Sequence, residues 1–256
     1  MQAGDFTLLA KKYKNRPGYS PTVLQALIRY VGATQPGFLV ADVGAGTGKL
    51  TQMLAGFGLT GYAVEPNDAM REEGVAQAKY TEGFTWLEGS AERIPLAAQA
   101  VNWVCMASAF HWADAPRALA EFWRILRPGG FLTVMWNPRD LEKDPLQARI
   151  DQRIKEIVPE LQRRSSGSSA YTKNIEETLR LDGLFGDVLF SEASHDLPMT
   201  RDRYIGIWES VNDVRAQAGE ARWRQVLSMI EEETTDLEEI VVRYRTRAWT
   251  IRALES

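Results

Sequence analysis

The chain has 256 residues, 45% hydrophobic and 25% charged, a composition typical of a globular protein that buries a sizeable core. Its net charge of −4 excludes the global basic field that draws proteins to nucleic acid or anionic lipid. The single cysteine, Cys105, excludes an internal disulfide, and with only two histidines no metal site is expected. Since no run of about eighteen apolar residues occurs and the first residues lack a basic segment followed by an apolar one, we expect a cytoplasmic protein with no membrane association.

The first predicted elements are a helix, a strand and a glycine-rich turn. Ser20 followed by Pro21 predicts a helix start, because serine caps helices and proline suits the first helical position. The continuous apolar run 38–43 predicts a strand that is covered on both faces. Residues 44–48 then form a turn that leads into a helix beginning near Leu50.

Strands and helices continue to alternate as far as residue 136. Further strands are predicted at 61–64, 84–87, 101–106 and 131–136, with helices starting near 67 and spanning 115–126. This alternation predicts an α/β fold with a doubly wound, mostly parallel sheet. Such sheets bind ligands beyond the carboxyl ends of their strands, near the point where the strand order reverses.

The turn after the first strand reads Asp42-Val43-Gly44-Ala45-Gly46-Thr47-Gly48. Its glycines can take positive φ and let a ligand approach the backbone. A dinucleotide site has the spacing G-x-G-x-x-G, and here Lys49 stands where the third glycine would be. Asp42 is placed to accept a hydrogen bond near a charged group of a ligand. The alternative is a plain connection between strand and helix.

A second carboxylate follows the next strand. Glu65 ends that strand about twenty residues after the glycine turn, where a carboxylate can accept from both hydroxyls of an adenosine ribose. The alternative is a solvated glutamate at a strand end.

These segments resemble the class I S-adenosylmethionine-dependent methyltransferases, and most closely the small-molecule group with ubiquinone-, menaquinone- and trans-aconitate-type enzymes. The matching stretches are 40–48, 63–67, 89–96, 108–112 and 124–130. The resemblance implies a Rossmann-like sheet with a late antiparallel strand and an inserted helical lid. It also implies in-line transfer of a methyl group from S-adenosyl-L-methionine to a small-molecule acceptor, with S-adenosyl-L-homocysteine as the product.

The resemblance further implies cofactor contacts for individual residues. The methionine half would lie against Asp42, Gly44, Ala45 and Gly46, the ribose and adenine against Glu65, Pro66, Met70, Ala91 and Glu92, and the sulfonium above Ser108. The N-terminal segment would close over the cofactor through Tyr13, Arg16 and Tyr19, with Arg16 paired to the cofactor carboxylate. The alternative for Arg16 is a simple turn before the first helix.

His111 is the candidate catalytic residue, since it follows a strand end and titrates near neutral pH. It could act as a base or orient the acceptor, and the alternative is a hydrogen bond to the backbone. His195 lies on a predicted late strand, and we expect it to be exposed or structural.

The C-terminal part is predicted to supply the lid and the last strands. We expect one methyltransferase domain over 1–256, with its core at about 20–140 and 176–256, lid helices at about 141–175 and 200–235, and an N-terminal cap over 1–19. A helix over 145–161, a mobile loop over 163–169, a helix from Met199 and an antiparallel strand over 241–249 are predicted. Acceptor-pocket candidates are Tyr171, Trp208 and the arginines 139, 163, 164, 201 and 203.

Two other functions remain open from the sequence. One is a non-catalytic S-adenosylmethionine-binding module, since the chemistry demands no obligatory catalytic residue. The other is a nicotinamide-dependent oxidoreductase, against which Lys49 argues. A monomer or a homodimer is expected, with no nucleic-acid partner.

Overall fold

The computed structural model describes residues 7–13, 15–162, 172–181 and 183–254, and its centre is one seven-stranded sheet. The spatial order of the strands is β3-β2-β1-β4-β5-β7-β6. In chain order the strands are β1 Leu39–Val43, β2 Thr60–Val64, β3 Phe84–Leu87, β4 Val101–Ala107, β5 Leu126–Trp136, β6 Phe185–Thr200 and β7 Glu239–Ala253. The predicted doubly wound α/β sheet is therefore confirmed.

The first five strands run parallel, and β7 is antiparallel to both of its neighbours, β5 and β6. The predicted late antiparallel strand is thus present, inside the sheet rather than at its edge. The strand order reverses between β1 and β4, so the crevice of this fold lies beyond the carboxyl ends of these two strands.

Helices cover both faces of the sheet. In chain order they are α1 Ala10–Tyr13, α2 Pro21–Tyr30, α3 Lys49–Gly56, α4 Asp68–Val75, α5 Ala115–Ile125, α6 Pro145–Ile157, α7 Ile175–Leu179, α8 Arg201–Glu209 and α9 Asn212–Glu233, the last kinked at Gly219. Short 3-10 segments are Thr7–Leu9, Ala78–Tyr80 and Phe110–Trp112.

Strand β1 is buried on both of its faces. Ala41 and Val43 pack with the buried residues of α5, whereas Val40 packs with those of α2 and α3 on the opposite face. Successive side chains of a strand point to opposite faces, so an uninterrupted apolar run fits a strand buried on both sides.

Helix boundaries follow local chemistry. The predicted start at Ser20 is confirmed, since its hydroxyl accepts from the N–H of Val23. The helix predicted to begin at Met199 instead starts at Arg201, because the hydroxyl of Thr200 caps it and Met199 is still part of β6. Helix α6 ends at Ile157 rather than 161, because Pro159 disfavours helical backbone at the residue before it.

A second apolar cluster lies beside the sheet and joins the predicted lid helices. Ile150 and Ile154 of α6 are fully buried together with Trp208 of α8 and Val226 of α9. The apolar face of α6 therefore already has a packing partner.

The loop predicted over 163–169 lies outside the described residues. Within the described part of the chain, no helix combines the length and apolar character needed to cross a lipid bilayer.

Two helical glycines provide a matched test of packing. A methyl group on Gly74 of α4 would overlap the indole of Trp86, whereas one on Gly56 of α3 would meet no atom within 4 Å. We expect Gly74→Ala to lower the free energy of unfolding by about 1–3 kcal/mol through overpacking. Gly56→Ala should leave it unchanged or raise it by up to about 1 kcal/mol. Urea unfolding measures both, and equal effects would show that Trp86 can move aside without cost.

Candidate functional site

One cavity of about 950 Å³ opens beyond the carboxyl ends of β1, β2, β4 and β5. Its walls include every residue predicted from the sequence to contact the cofactor, together with the candidate catalytic residue His111. The predicted set is Tyr13, Arg16, Asp42, Gly44, Ala45, Gly46, Glu65, Pro66, Met70, Ala91, Glu92 and Ser108. The structure therefore brings the predicted residues together.

The glycine turn has a backbone that other residues rarely adopt. Gly44 and Gly46 have φ values of +67° and +59°. A methyl group on Gly44 would also lie 2.8 Å from Cβ of Ala109. The N–H groups of Gly44 and Ala45 both donate to the carbonyl of Val64, at 2.8 and 3.1 Å, which fastens the turn to the end of β2. Glycine is thus required at these two positions, where no side chain separates the backbone from the cavity.

Glu65 is buried, with 7% of its surface exposed, so it is not a solvated strand-end glutamate. Its Oε2 accepts from the N–H of Gly46 at 2.8 Å and its Oε1 from the N–H of Asn67 at 2.9 Å. Burial raises the pKa of Glu65, although these two bonds and the charge of Arg71 oppose the rise. Each oxygen has a further lone pair, so the carboxylate can still accept from a ligand.

Asp42 is a second buried carboxyl group on the cavity wall, with 1% exposure. Its Oδ2 accepts from the hydroxyl of Thr51 at 2.6 Å. Burial raises the pKa of Asp42 to about 7, and the nearby charge of Glu65 adds to the rise. Among the described residues Asp42 forms no ion pair. A cationic ligand group beside it would stabilise its charged form.

His111 lies in the 3-10 segment after β4, and its Nδ1 accepts from the indole N–H of Trp136 at 3.2 Å. Burial lowers the pKa of His111 to about 4, against the opposing charge of Asp213. The ring is therefore neutral near pH 7 and carries its proton on Nε2. Because the bond from Trp136 occupies the lone pair of Nδ1, this arrangement favours a donor over a general base.

Ser108 links the end of β4 to the N-terminal segment. It has φ of +54°, a strained value for a residue other than glycine, and its Oγ accepts from the hydroxyl of Tyr19 at 3.2 Å. Burial raises the pKa of Tyr19 above its usual range, so its hydroxyl stays protonated and can donate.

Arg16 lines the cavity, but its guanidinium binds within the protein. Its Nε donates to the hydroxyl of Ser210 at 2.7 Å and its Nη2 to the carbonyl of Ser210 at 2.9 Å. These bonds tie the N-terminal segment to the end of α8. Sequence reasoning missed these bonds because Ser210 lies 194 positions away in the chain, and the pairing of Arg16 with a cofactor carboxylate stays a prediction.

Lys49 is a cation that the sequence analysis did not assign to the site. It lines the cavity beside the glycine turn. Burial lowers the pKa of Lys49, and the positive charge of Arg203 lowers it further. In the sequence, Lys49 was notable only because it occupies the position of the third glycine of the dinucleotide motif.

The predicted acceptor-pocket residues divide into two groups. Trp208 and Arg139 line the cavity. Arg201 instead donates to the carbonyls of Glu231 and Thr234, and Arg203 to that of Asn15. Tyr171, Arg163 and Arg164 lie outside the described residues. His195 is half-buried on β6 and stacks on Tyr244 of β7, as suits the structural role predicted for it.

Comparison with known proteins assigns the central region to a family. Residues 41–134 match the methyltransferase domain family. An uncharacterised methyltransferase of Mycobacterium tuberculosis is 41% identical over 127 residues, which are 50% of this chain and 49% of that protein. One from Schizosaccharomyces pombe is 31% identical over 135 residues, 49% of each chain. The match thus spans about half the length of these relatives.

Solved structures extend the likeness to nearly the whole fold. A candidate type II methyltransferase from Anaeromyxobacter dehalogenans superposes with a TM-score of 0.62, at 22% identity, over 94% of this chain and 99% of that one. Haemonchus contortus phosphoethanolamine N-methyltransferase 2, solved with S-adenosylhomocysteine, gives 0.55 at 14% identity over 97% and 58%. The fold is thus shared with methyltransferases of known structure, and residues 41–134 of the chain match the methyltransferase domain family.

Proposed function

We propose that the protein transfers a methyl group from S-adenosyl-L-methionine to a small-molecule acceptor bound in the same cavity. The observation that carries this proposal is the buried carboxylate of Glu65, fastened to the amides of Gly46 and Asn67 where the strand order reverses. A carboxylate in this position accepts from paired ribose hydroxyls, and the glycines of the turn beside it leave space for the ligand.

The other residues suit the remaining parts of the cofactor. Asp42 would accept from the ammonium of the methionine half, since it is buried, carries a raised pKa and forms no ion pair within the described chain. Ala91 and Glu92 would face the adenine edge, and Pro66 and Met70 would pack on the adenosine. Lys49 supplies a positive charge for the carboxylate at the other end of the methionine half.

When bound, the cofactor would supply a methyl group activated by a positively charged sulfur, which would keep the electron pair of the S–CH₃ bond as a lone pair of the acceptor bonds to the carbon. The protein's main task is to hold the two partners in line and close together. We propose that Tyr19, Ser108 and the helical layer of α6, α8 and α9 exclude water from that point as a lid. His111, as a donor at Nε2, would orient the acceptor.

The small size of the acceptor is inferred from the shape and charge of the site. Residues of α6, α8 and α9 line the cavity together with the glycine turn, so side chains of these helices border the space for the acceptor. The net charge of −4 does not favour a nucleic-acid substrate.

Calorimetric titration tests this function directly. We expect S-adenosylmethionine and S-adenosylhomocysteine to bind with micromolar or tighter affinity, about −8 kcal/mol or better, and NAD not to bind measurably. The glycine spacing and Glu65 are the physical reasons. Preference for NAD would contradict the proposal. Binding of the methyl donor with no turnover on any acceptor would indicate a regulatory module instead.

A further inference from the structure

Three polar side chains on the helical side of the cavity have unused hydrogen-bonding atoms. Oε1 of Gln147, the hydroxyl of Tyr244 and Nε of Arg139 are all buried and find no hydrogen-bond partner among the described residues. Gln147 and Tyr244 are themselves 1% and 3% exposed, and all three residues line the cavity. A buried polar group left unpaired costs about 1–3 kcal/mol, so three in one cavity point to a ligand.

Arg139 is the charged member of this group and is held in place. It forms an antiparallel bridge with Tyr244, and its guanidinium carbon lies 4.0 Å from the centre of the Trp208 ring. This stacking fixes the plane of the guanidinium and leaves its N–H edge available.

Arg139 forms no salt bridge with any described residue. The neighbouring Asp140 pairs with Arg245 at 2.7 Å, and Asp144 accepts from the backbone N–H groups of Gln147 and Arg243. Asp151 and Asp213 also line the cavity; Asp151 pairs with Lys155 at 2.8 Å, and no salt bridge joins Asp213 to Arg139 among the described residues. The guanidinium of Arg139 therefore lies beside the unpaired side-chain atoms of Gln147 and Tyr244.

We propose that Arg139 binds an anionic oxygen group of the methyl acceptor, and that the acceptor is a small carboxylic acid. The planar fork of the guanidinium matches a carboxylate with two parallel hydrogen bonds. The hydroxyl of Tyr244 donates to the same group, and Oε1 of Gln147 accepts from a hydroxyl or amide N–H elsewhere on the acceptor. This inference rests on the proposed function, because it assigns the second ligand of the same cavity.

The test measures binding of carboxylic acids to protein saturated with S-adenosylhomocysteine. The probes are succinate, adipate, hexanoate, benzoate and trans-cinnamate, each compared with its amide, and phenylphosphonate compared with benzoate. Arg139→Gln removes the charge, and Arg139→Lys keeps the charge without the fork. Arg224→Gln is the control, since Arg224 is exposed on α9 and does not line the cavity.

We expect at least one acid to bind the wild type at least tenfold more tightly than its amide. Arg139→Gln should lose this preference, Arg139→Lys should retain part of it, and both should keep the wild-type affinity for S-adenosylhomocysteine. If S-adenosylhomocysteine binds but no acid is preferred to its amide, or if Arg139→Gln keeps the preference, the inference is wrong. Tighter binding of phenylphosphonate than benzoate would overturn the carboxylate assignment. Failure of S-adenosylhomocysteine to bind contradicts the proposed function instead, and titration of the acids alone then still decides the role of Arg139.

Discussion

Asp42→Asn is expected to stabilise the protein while sharply weakening cofactor binding. The wild-type carboxyl group is buried and its pKa is raised to about 7, so at pH 8 it is charged at a cost on the order of 4 kcal/mol. Asparagine removes that charge and can still accept from the hydroxyl of Thr51. The same change removes the carboxylate proposed to bind the ammonium of the methionine half, so affinity for S-adenosylhomocysteine should fall at least tenfold.

The effect of Asp42→Asn on stability should depend on pH, in a direction set by the raised pKa of Asp42. A carboxyl group whose folded pKa lies above its unfolded value contributes stability that is present below the unfolded pKa and lost as pH rises through the folded one. The stability difference between variant and wild type should therefore be largest near pH 8 and vanish toward pH 4. Affinity of the wild type should rise with pH up to about 7, and that of the variant should not.

Urea unfolding between pH 4 and 8 and calorimetric titration between pH 5.5 and 8 measure these two effects. Asp236→Asn is the control, because Asp236 is exposed and does not line the cavity. A less stable Asp42→Asn protein at pH 8 would show that the bond from Thr51 outweighs the cost of burial.

Glu65→Ala is expected to weaken cofactor binding by about 1–3 kcal/mol, since the pair of charge-assisted bonds to the ribose is lost. The structure adds a second effect. Both carboxylate oxygens accept from backbone N–H groups, so alanine leaves the amides of Gly46 and Asn67 without these acceptors. The free energy of unfolding should also fall by about 1–3 kcal/mol.

Glu88→Ala is the control, since Glu88 is exposed at the end of the next strand and lies 3.7 Å from Arg71. It should change neither quantity appreciably. Circular dichroism and calorimetry separate loss of structure from loss of affinity. Unchanged affinity in Glu65→Ala would mean that the ribose is bound by other groups.

The sequence predicted the sheet because this part of the fold depends on local patterns. Apolar runs such as 38–43 and the cap at Ser20 are readable without knowledge of the rest of the chain. The grouping of Asp42, Glu65 and Ser108 could also be predicted, because the carboxyl ends of parallel strands meet at one edge.

The remaining features depend on contacts between distant parts of the chain. The bonds of Arg16 to Ser210 join residues 194 positions apart, and the bond from Trp136 to His111 decides where the imidazole proton lies. The local sequence does not distinguish Arg139 from Arg201. Arg139 binds no described carboxylate, whereas the guanidinium of Arg201 donates to the backbone carbonyl of Thr234. Sequence patterns give the type of these side chains, whereas tertiary packing decides their partners.

The position of β7 has a consequence for synthesis on the ribosome. Strand β7 lies between β5 and β6, and Thr133 and Thr250 bond across 117 residues of chain. Until residues 239–253 emerge, the edge of β5 stays open and β6 has no strand beside it in the described sheet. Unpaired strand edges are templates for aggregation, and long-range pairing of this kind is slow. We therefore expect nascent chains stalled before residue 239 to bind chaperones strongly and to be readily degraded, and release beyond residue 253 to relieve both.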